Sequence, residues 1–241
     1  MAKFRREPCS ILRPFRNLVI REKISGGGSF LVWRTDMPIT RRLVASFPFL
    51  AGLPLAALVP ALAQAKPASD FTAIDADGKS RSLSEFRGKT VVLEWVNEGC
   101  PYIRKHYSGN MQGLQQAARA DGVVWLTIAS SAPGKQGYFD GPAARTWMEA
   151  KGAKPTALLL DSDNRIATAY KAKTTPHMFV IDKTGQVVYE GAIDDIPTSK
   201  VEDLSKARNL VAAALADLKA GRKVVTPFAT PYGCSVKYKD A

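Results

Sequence analysis

Thr90-Val91-Val92-Leu93-Glu94-Trp95-Val96-Asn97-Glu98-Gly99-Cys100-Pro101-Tyr102 changes character at Asn97. Before it runs a mostly β-branched and apolar stretch, the composition of a strand buried on both faces. Gly99 breaks the run, and Pro101 suits the first turn of a helix. Cys100 therefore stands at a strand-to-helix junction, where the first helical N–H groups bias a thiol toward thiolate. Arg104 follows at i+4 on the same side and adds positive charge. With Glu98, Gly99 and Pro101 around it, Cys100 is expected in a turn and not in the core.

Outward from this stretch, apolar runs at 123–129, 156–161, 177–182 and 186–191 read as strands. Helical stretches at 111–120, 142–151 and 164–170 alternate with them. Asp77-Gly78 marks a hairpin within 70–80, and 82–88 a short helical turn closed by glycine. Lys183-Thr184-Gly185 joins the last two strands as a second hairpin. Ser199-Lys200-Val201-Glu202 reads as a capping box for a long helix ending at Gly221, with an irregular tail over 222–241. Buried strands alternating with helices predict an α/β fold with a parallel-rich sheet, made mixed by the closing hairpin.

The N-terminal part sets the compartment. Thr40-Arg41-Arg42-Leu43-Val44-Ala45 is a twin-arginine pattern, followed by an apolar run and then Ala63-Gln64-Ala65, a small-x-small cleavage signature. The apolar run is short for a membrane span and is broken by Pro48, Gly52, Pro54 and Pro60. The expectation is an export signal over 37–65, cleaved after Ala65, with membrane contact only in transit and a periplasmic product. Residues 1–36 read as an extension upstream of that signal. Residues 1–65 hold ten of the 34 basic residues and three of the 22 acidic ones, so over half of the +12 net charge belongs to this leader. No basic stripe with interleaved aromatics remains in 66–241, which sets nucleic acid aside as a partner. That remainder is long enough for one well-cored domain.

Of three cysteines, Cys9 lies in the leader, leaving Cys100 and Cys234. Two cysteines in an oxidising compartment predict a pairing, as a static staple or as the oxidised half of a cycle. Thr174-Thr175-Pro176-His177 opens a strand with a proline. That is either a simple strand opening or a cis bond after which Thr175 offers its backbone to a substrate. The acidic pairs Asp161/Asp163 and Asp194/Asp195 are assigned to caps and turns. The two histidines read most simply as a solvated His106 and an edge-strand His177.

The order strand, turn, Cys100, helix, then Thr175-Pro176 entering Phe179-Val180-Ile181-Asp182, a hairpin and a terminal helix, resembles the thioredoxin-like fold: a mixed central sheet flanked by helices. The insertion before the Thr-Pro strand resembles the redoxins, meaning the alkyl hydroperoxide reductase/thiol-specific antioxidant peroxiredoxins and the exported thiol-disulfide oxidoreductases. Cys100-Pro101-Tyr102-Ile103-Arg104 with Gly233-Cys234-Ser235-Val236-Lys237 looks most like the peroxiredoxin-like subgroup, over roughly 70–240. The resemblance implies an oxidoreductase in which Cys100 attacks a peroxide or disulfide and Cys234 resolves. Electrons would come from a protein or small-molecule thiol donor in trans, with no bound cofactor. Two departures stand out. Ile103 removes any Cys-x-x-Cys, and Asn97 stands where peroxiredoxins carry the peroxide-binding threonine, leaving Asn97 and Arg104 as stand-ins. A second expectation is a thioredoxin-fold binding protein without turnover, holding copper or a partner through Cys100, His177 and Cys234.

Overall fold

A computed structural model describes residues 66–240, so the signal over 37–65 and the extension over 1–36 lie outside the described residues. In chain order the elements are β1 (Lys66–Pro67), β2 (Thr72–Asp75), β3 (Ser80–Ser82), a 3₁₀ turn (Leu83–Phe86) and β4 (Val91–Val96). Then come α1 (Pro101–His106), α2 (Asn110–Ala120), β5 (Val124–Ala129), α3 (Gly141–Lys151), β6 (Ala157–Leu160) and α4 (Arg165–Tyr170). The chain closes with β7 (Thr174–Thr175), β8 (Met178–Ile181), β9 (Gln186–Gly191), a 3₁₀ turn (Val201–Ser205), α5 (Leu210–Lys219) and β10 (Cys234–Ser235).

Eight strands form one mixed sheet in the order β1-β9-β8-β4-β5-β6-β2-β3. β4, β5 and β6 run parallel, and β8 pairs antiparallel with β4. β4 and β5 are buried along their whole length, which is why both read as unbroken apolar runs. Alternation along each strand sorts side chains into two layers. Val92, Val96, Trp125, Met178 and Val180 pack on one face with α1, α2, α3 and α5. Leu93, Trp95, Leu126, Ile128 and Phe179 pack on the other with α4 and the first 3₁₀ turn.

Glu94 is the one charged residue inside β4, and it is 0% exposed. Burial pushes its pKa up, opposed by hydrogen bonds from the side chains of Trp125, Tyr107, Gln115 and Thr127. With four donors, the acceptor capacity of this carboxyl is filled. The group thereby ties α1 and α2 to the centre of the sheet.

Three sequence expectations change. The sheet is mixed but not parallel-rich: β4–β5 and β5–β6 are parallel, and the other five pairings are antiparallel, because β1, β2, β3, β8 and β9 join it as hairpins and edges. The long helix ending at Gly221 is broken into the second 3₁₀ turn and α5, and no side chain caps the former. The break lies where Asp195 Oδ1 accepts the Arg208 amide at 2.8 Å and Leu210 N donates to Ile193 O at 2.9 Å. The chain is held there against the loop after β9. Asn209, not Ser199, then caps α5, its Oδ1 accepting from Ala212 N at 2.8 Å. The 222–241 tail is not irregular throughout: β10 pairs antiparallel with β7.

Asn209→Ala is expected to cost about 1 kcal/mol of stability, the usual value of an N-cap, while Ser199→Ala changes it by no more than a few tenths. Urea-unfolding midpoints of the two variants check this.

Candidate functional site

Cys100 is the residue that caps α1, in extended conformation before Pro101. Its amide donates to Asn97 O at 3.1 Å and its carbonyl accepts the Arg104 amide at 3.0 Å. Asn97 braces this loop with both ends of its side chain. Oδ1 accepts from Gly99 N at 2.9 Å, and Nδ2 donates to Gln136 O at 3.0 Å and contacts Ser131 Oγ at 3.5 Å. The amide expected to receive a peroxide is therefore already engaged in holding the loop.

The open turn expected around Cys100 is a turn but not open. Cys100 is 0% exposed and belongs to the core layer of α1 and α5. The C-terminal segment covers it. Cys234, half-buried, lies opposite Thr175 in the β7–β10 pairing, and both cysteines are free thiols. Gly233 makes the approach possible: its φ is +139°, and a Cβ there would collide with the Thr175 carbonyl.

The two cysteines converge on Thr175, Cys100 Sγ lying 3.0 Å from its carbonyl oxygen and Cys234 standing opposite it in the β7–β10 pairing, and their proton affinities diverge. For Cys100, burial works against the thiolate. Hydrogen bonds from the Cys234 thiol, from Thr175 and from the Ile103 and Cys234 amides outweigh it, so its pKa lies below that of an ordinary thiol. When protonated, Cys100 Sγ donates to Thr175 O at 3.0 Å. Burial, the bond to Cys100 and the Cys100 charge push Cys234 up to about 11. The state this favours is a Cys100 thiolate accepting a proton-bearing Cys234. Arg104, expected to face Cys100, is exposed; its charge reaches Cys234 instead and opposes the upward shift there.

The Thr175–Pro176 bond is cis, and both residues are buried. The Thr175 backbone faces the chain's own Cys234 rather than an open groove, and its hydroxyl lies 3.4 Å from Cys234 O.

The set Cys100, His177 and Cys234 does not assemble as a metal site. His177 shares the face of Phe179, with ring centroids 4.6 Å apart, and packs beside Trp95, in the layer opposite Cys100. Cys100 and Cys234 both pack with the other layer, so the three side chains lie on opposite sides of the sheet. Among the described residues no group of three or more His, Cys, Asp or Glu side chains is arranged to hold a metal ion. Nor is either histidine solvated or at an open edge: both are 0% exposed.

Four residues that the sequence reading did not assign to the site hold the covering segment. Lys105, Asp194 and His106 are buried around Tyr232, two residues before Cys234. Asp194, expected as a turn former, accepts from Lys105 Nζ at 3.2 Å. The signal for this cluster was weak: His106 read as a solvated histidine, and nothing local marks Lys105 as buried.

Residues 65–190 match the AhpC/TSA family. The chain belongs to that family. It is a peroxiredoxin-like redoxin of the thioredoxin superfamily, hence an oxidoreductase, and Cys234 lies beyond the matched stretch. No curated protein matches it. Among solved structures, a hypothetical protein of Sinorhizobium meliloti is 22% identical, with 73% of this chain and 95% of that one covered at a TM-score of 0.63. An uncharacterized conserved protein of Geobacillus kaustophilus is 25% identical, with 73% and 93% covered and the same TM-score of 0.63. A secreted disulfide oxidoreductase of Mycobacterium tuberculosis is 23% identical over 48% of this chain and 79% of that one, at a TM-score of 0.40, a likeness too slight to argue from.

Two outcomes are expected. In a thiolate-absorbance titration, Cys234→Ala raises the Cys100 pKa by removing a thiol donor, and Cys100→Ala lowers that of Cys234 from about 11. Acid stability follows the histidines. Burial holds His106 and His177 to about 4 against an ordinary 6.5. The unfolded chain takes up these protons near 6.5 and the folded chain only near 4. Their contribution is thus intact above 6.5 and is lost as pH falls through that window, by about 1.4 kcal/mol per pH unit per proton at most. Urea midpoints across pH 7 to 4 measure it, and His177→Leu halves the slope.

Proposed function

We propose that this chain is an exported dithiol–disulfide oxidoreductase whose working pair is Cys100 and Cys234. The observation that carries the reading is the meeting of two free thiols at Thr175, Cys100 through its sulfur and Cys234 through the β7–β10 pairing, with the pKa of Cys100 lowered and that of Cys234 raised. The leader's twin-arginine pattern supports delivery to an oxidising compartment, where such a pair has a use. Exchange with another disulfide is favoured over peroxide reduction. Asn97 is engaged in its own loop and Arg104 is exposed, so neither expected support for a peroxide stands at the sulfur.

Access supports one order of steps. Cys100 has no exposed surface, whereas Cys234 is half-buried, so a partner's sulfur meets Cys234 first. In the oxidised protein a donor thiolate attacks Cys234 Sγ. The Cys100–Cys234 bond breaks, a donor–Cys234 mixed disulfide forms, and Cys100 leaves as thiolate. Cys100 is the better leaving group because its pKa is the lower of the two. A second donor thiolate then attacks the donor sulfur of the mixed disulfide, releasing the donor disulfide and a Cys234 thiolate that takes up a proton. The same steps reversed reduce a partner disulfide. Cys234, its proton passed to the Cys100 thiolate, attacks one partner sulfur and expels the other as a thiolate that takes up the proton. The Cys100 thiolate then attacks Cys234 Sγ, closing the internal bond and expelling the remaining partner sulfur.

The test is to oxidise the protein, add limiting glutathione, quench with N-ethylmaleimide and map the adducts by mass spectrometry. Glutathione on Cys234 with maleimide on Cys100 is the expected pattern, and Cys100→Ser is expected to retain glutathione on Cys234. Glutathione found on Cys100 would overturn the order of attack. Absence of a Cys100–Cys234 bond after oxidation would overturn the function itself.

A further inference from the structure

A buried polar cluster grips the covering segment just before Cys234. Lys105, His106 and Asp194 are 1%, 0% and 2% exposed. Lys105 Nζ donates to Asp194 Oδ2 at 3.2 Å and to Ile196 O at 3.0 Å, and lies 5.6 Å from the centroid of the Tyr232 ring. The Tyr232 hydroxyl donates to Asp194 Oδ1 and lies 3.2 Å from His106 Nε2. On the other side of the ring, His106 Nδ1 meets Asn110 Nδ2 at 3.0 Å. An amide nitrogen can only donate, so Nδ1 accepts and the ring proton sits on Nε2. The chain of donors then has one direction: Asn110 to His106, His106 to Tyr232, Tyr232 to Asp194. Tyr102 packs edge-on against the Tyr232 ring, with centroids 5.6 Å apart.

Two facts tie this cluster to the sulfurs. Lys105, His106 and Tyr102 belong to α1, the helix that Cys100 caps, so the cluster moves with Cys100. Tyr232 is separated from Cys234 by Gly233 alone, whose backbone approaches the Thr175 carbonyl too closely for any side chain. A grip on Tyr232 is thus a grip on Cys234 across one residue, referenced to the helix that carries the other thiol.

We propose that Tyr232 is the positioning residue of the redox pair, held by the Lys105–Asp194–His106 cluster so that Cys234 stays against Cys100 in the dithiol state. This inference rests on the dithiol function proposed above. Forming the bond then orders little that is not already ordered, which raises the effective concentration of one thiol at the other. Without the hydroxyl, the segment must be immobilised at the moment of bond formation. The disulfide becomes easier to reduce.

The experiment is the glutathione redox equilibrium of the protein and of Tyr232→Phe, read as the fraction of Cys100–Cys234 bond by mass spectrometry after alkylation. Tyr232→Phe keeps the ring against Tyr102 and Lys105 and removes only the hydroxyl. The equilibrium constant for bond formation is expected to fall about tenfold, or about 30 mV toward a less negative potential. A purely structural role would lower the stability of both redox forms and leave this constant unmoved. Asp194→Asn, which removes the charge both Lys105 and Tyr232 use, is expected to shift it in the same direction. Lys135→Ala, which breaks the ion pair to Asp240 beyond Cys234, should not shift it. A change under threefold in both Tyr232→Phe and Asp194→Asn overturns the inference while the dithiol function stands. A wild-type protein that forms no Cys100–Cys234 bond removes both.

Discussion

Cys234 lies opposite Thr175 in a two-residue antiparallel pairing, and that register decides which atoms meet at the centre of this protein. It sets a half-buried thiol against a buried one, and it closes the Thr175 backbone to anything but the chain's own tail. Further anchors extend on both sides. Val236 N donates to Lys173 O and Ala132 N to Lys237 O, both at 3.0 Å. The Tyr238 hydroxyl donates to Ala172 O at 2.7 Å, and Val236 is buried in the layer opposite Cys100. The segment therefore crosses from one layer of the fold to the other, over the end of β4 where Cys100 stands.

The chemistry of the pair is a consequence of that burial. Two thiols removed from water cannot each ionise at an ordinary pKa, because a second charge beside the first has nothing to screen it. The proton is kept by the sulfur with fewer donors. Cys100 has the Ile103 amide, an N–H of the first turn of α1, together with the Cys234 amide and thiol; Cys234 has a neighbouring charge and little else. Asymmetry between two identical side chains arises here from the donors, side-chain and backbone, that reach one sulfur and not the other.

Much of this was legible in the chain. The 90–96 run could only be a central strand, and a glycine and proline around Cys100 could only end it. The Asp77-Gly78 and Lys183-Thr184-Gly185 turns and the pairing of strands 177–182 and 186–191 followed from local rules, which left the Thr175–Pro176 bond open between a cis bond and a plain strand entry. The failures share a cause. Arg104, His106 and His177 were placed by helix spacing or strand entry, which give the face a residue points to but not what covers that face. Lys105 and Asp194 look like surface charges until they are seen to neutralise each other in the interior. The helix expected from Ser199 breaks because distant groups, Asp195 and Ile193, take up its backbone amides.

By itself, then, the sequence determined the strands, the helices, the two cysteines and the thioredoxin-like order that relates them. These are written in periods of two and of about four residues and in the conformational limits of glycine and proline, all local properties. Only the tertiary structure decided that Cys100 is sealed, that Cys234 is half-buried, and that Asn97 braces a loop. Those outcomes depend on where the last residues of the chain return to the sheet. Contacts between segments so far apart are set by packing and hydrogen-bond satisfaction across the whole fold, which no window of sequence contains.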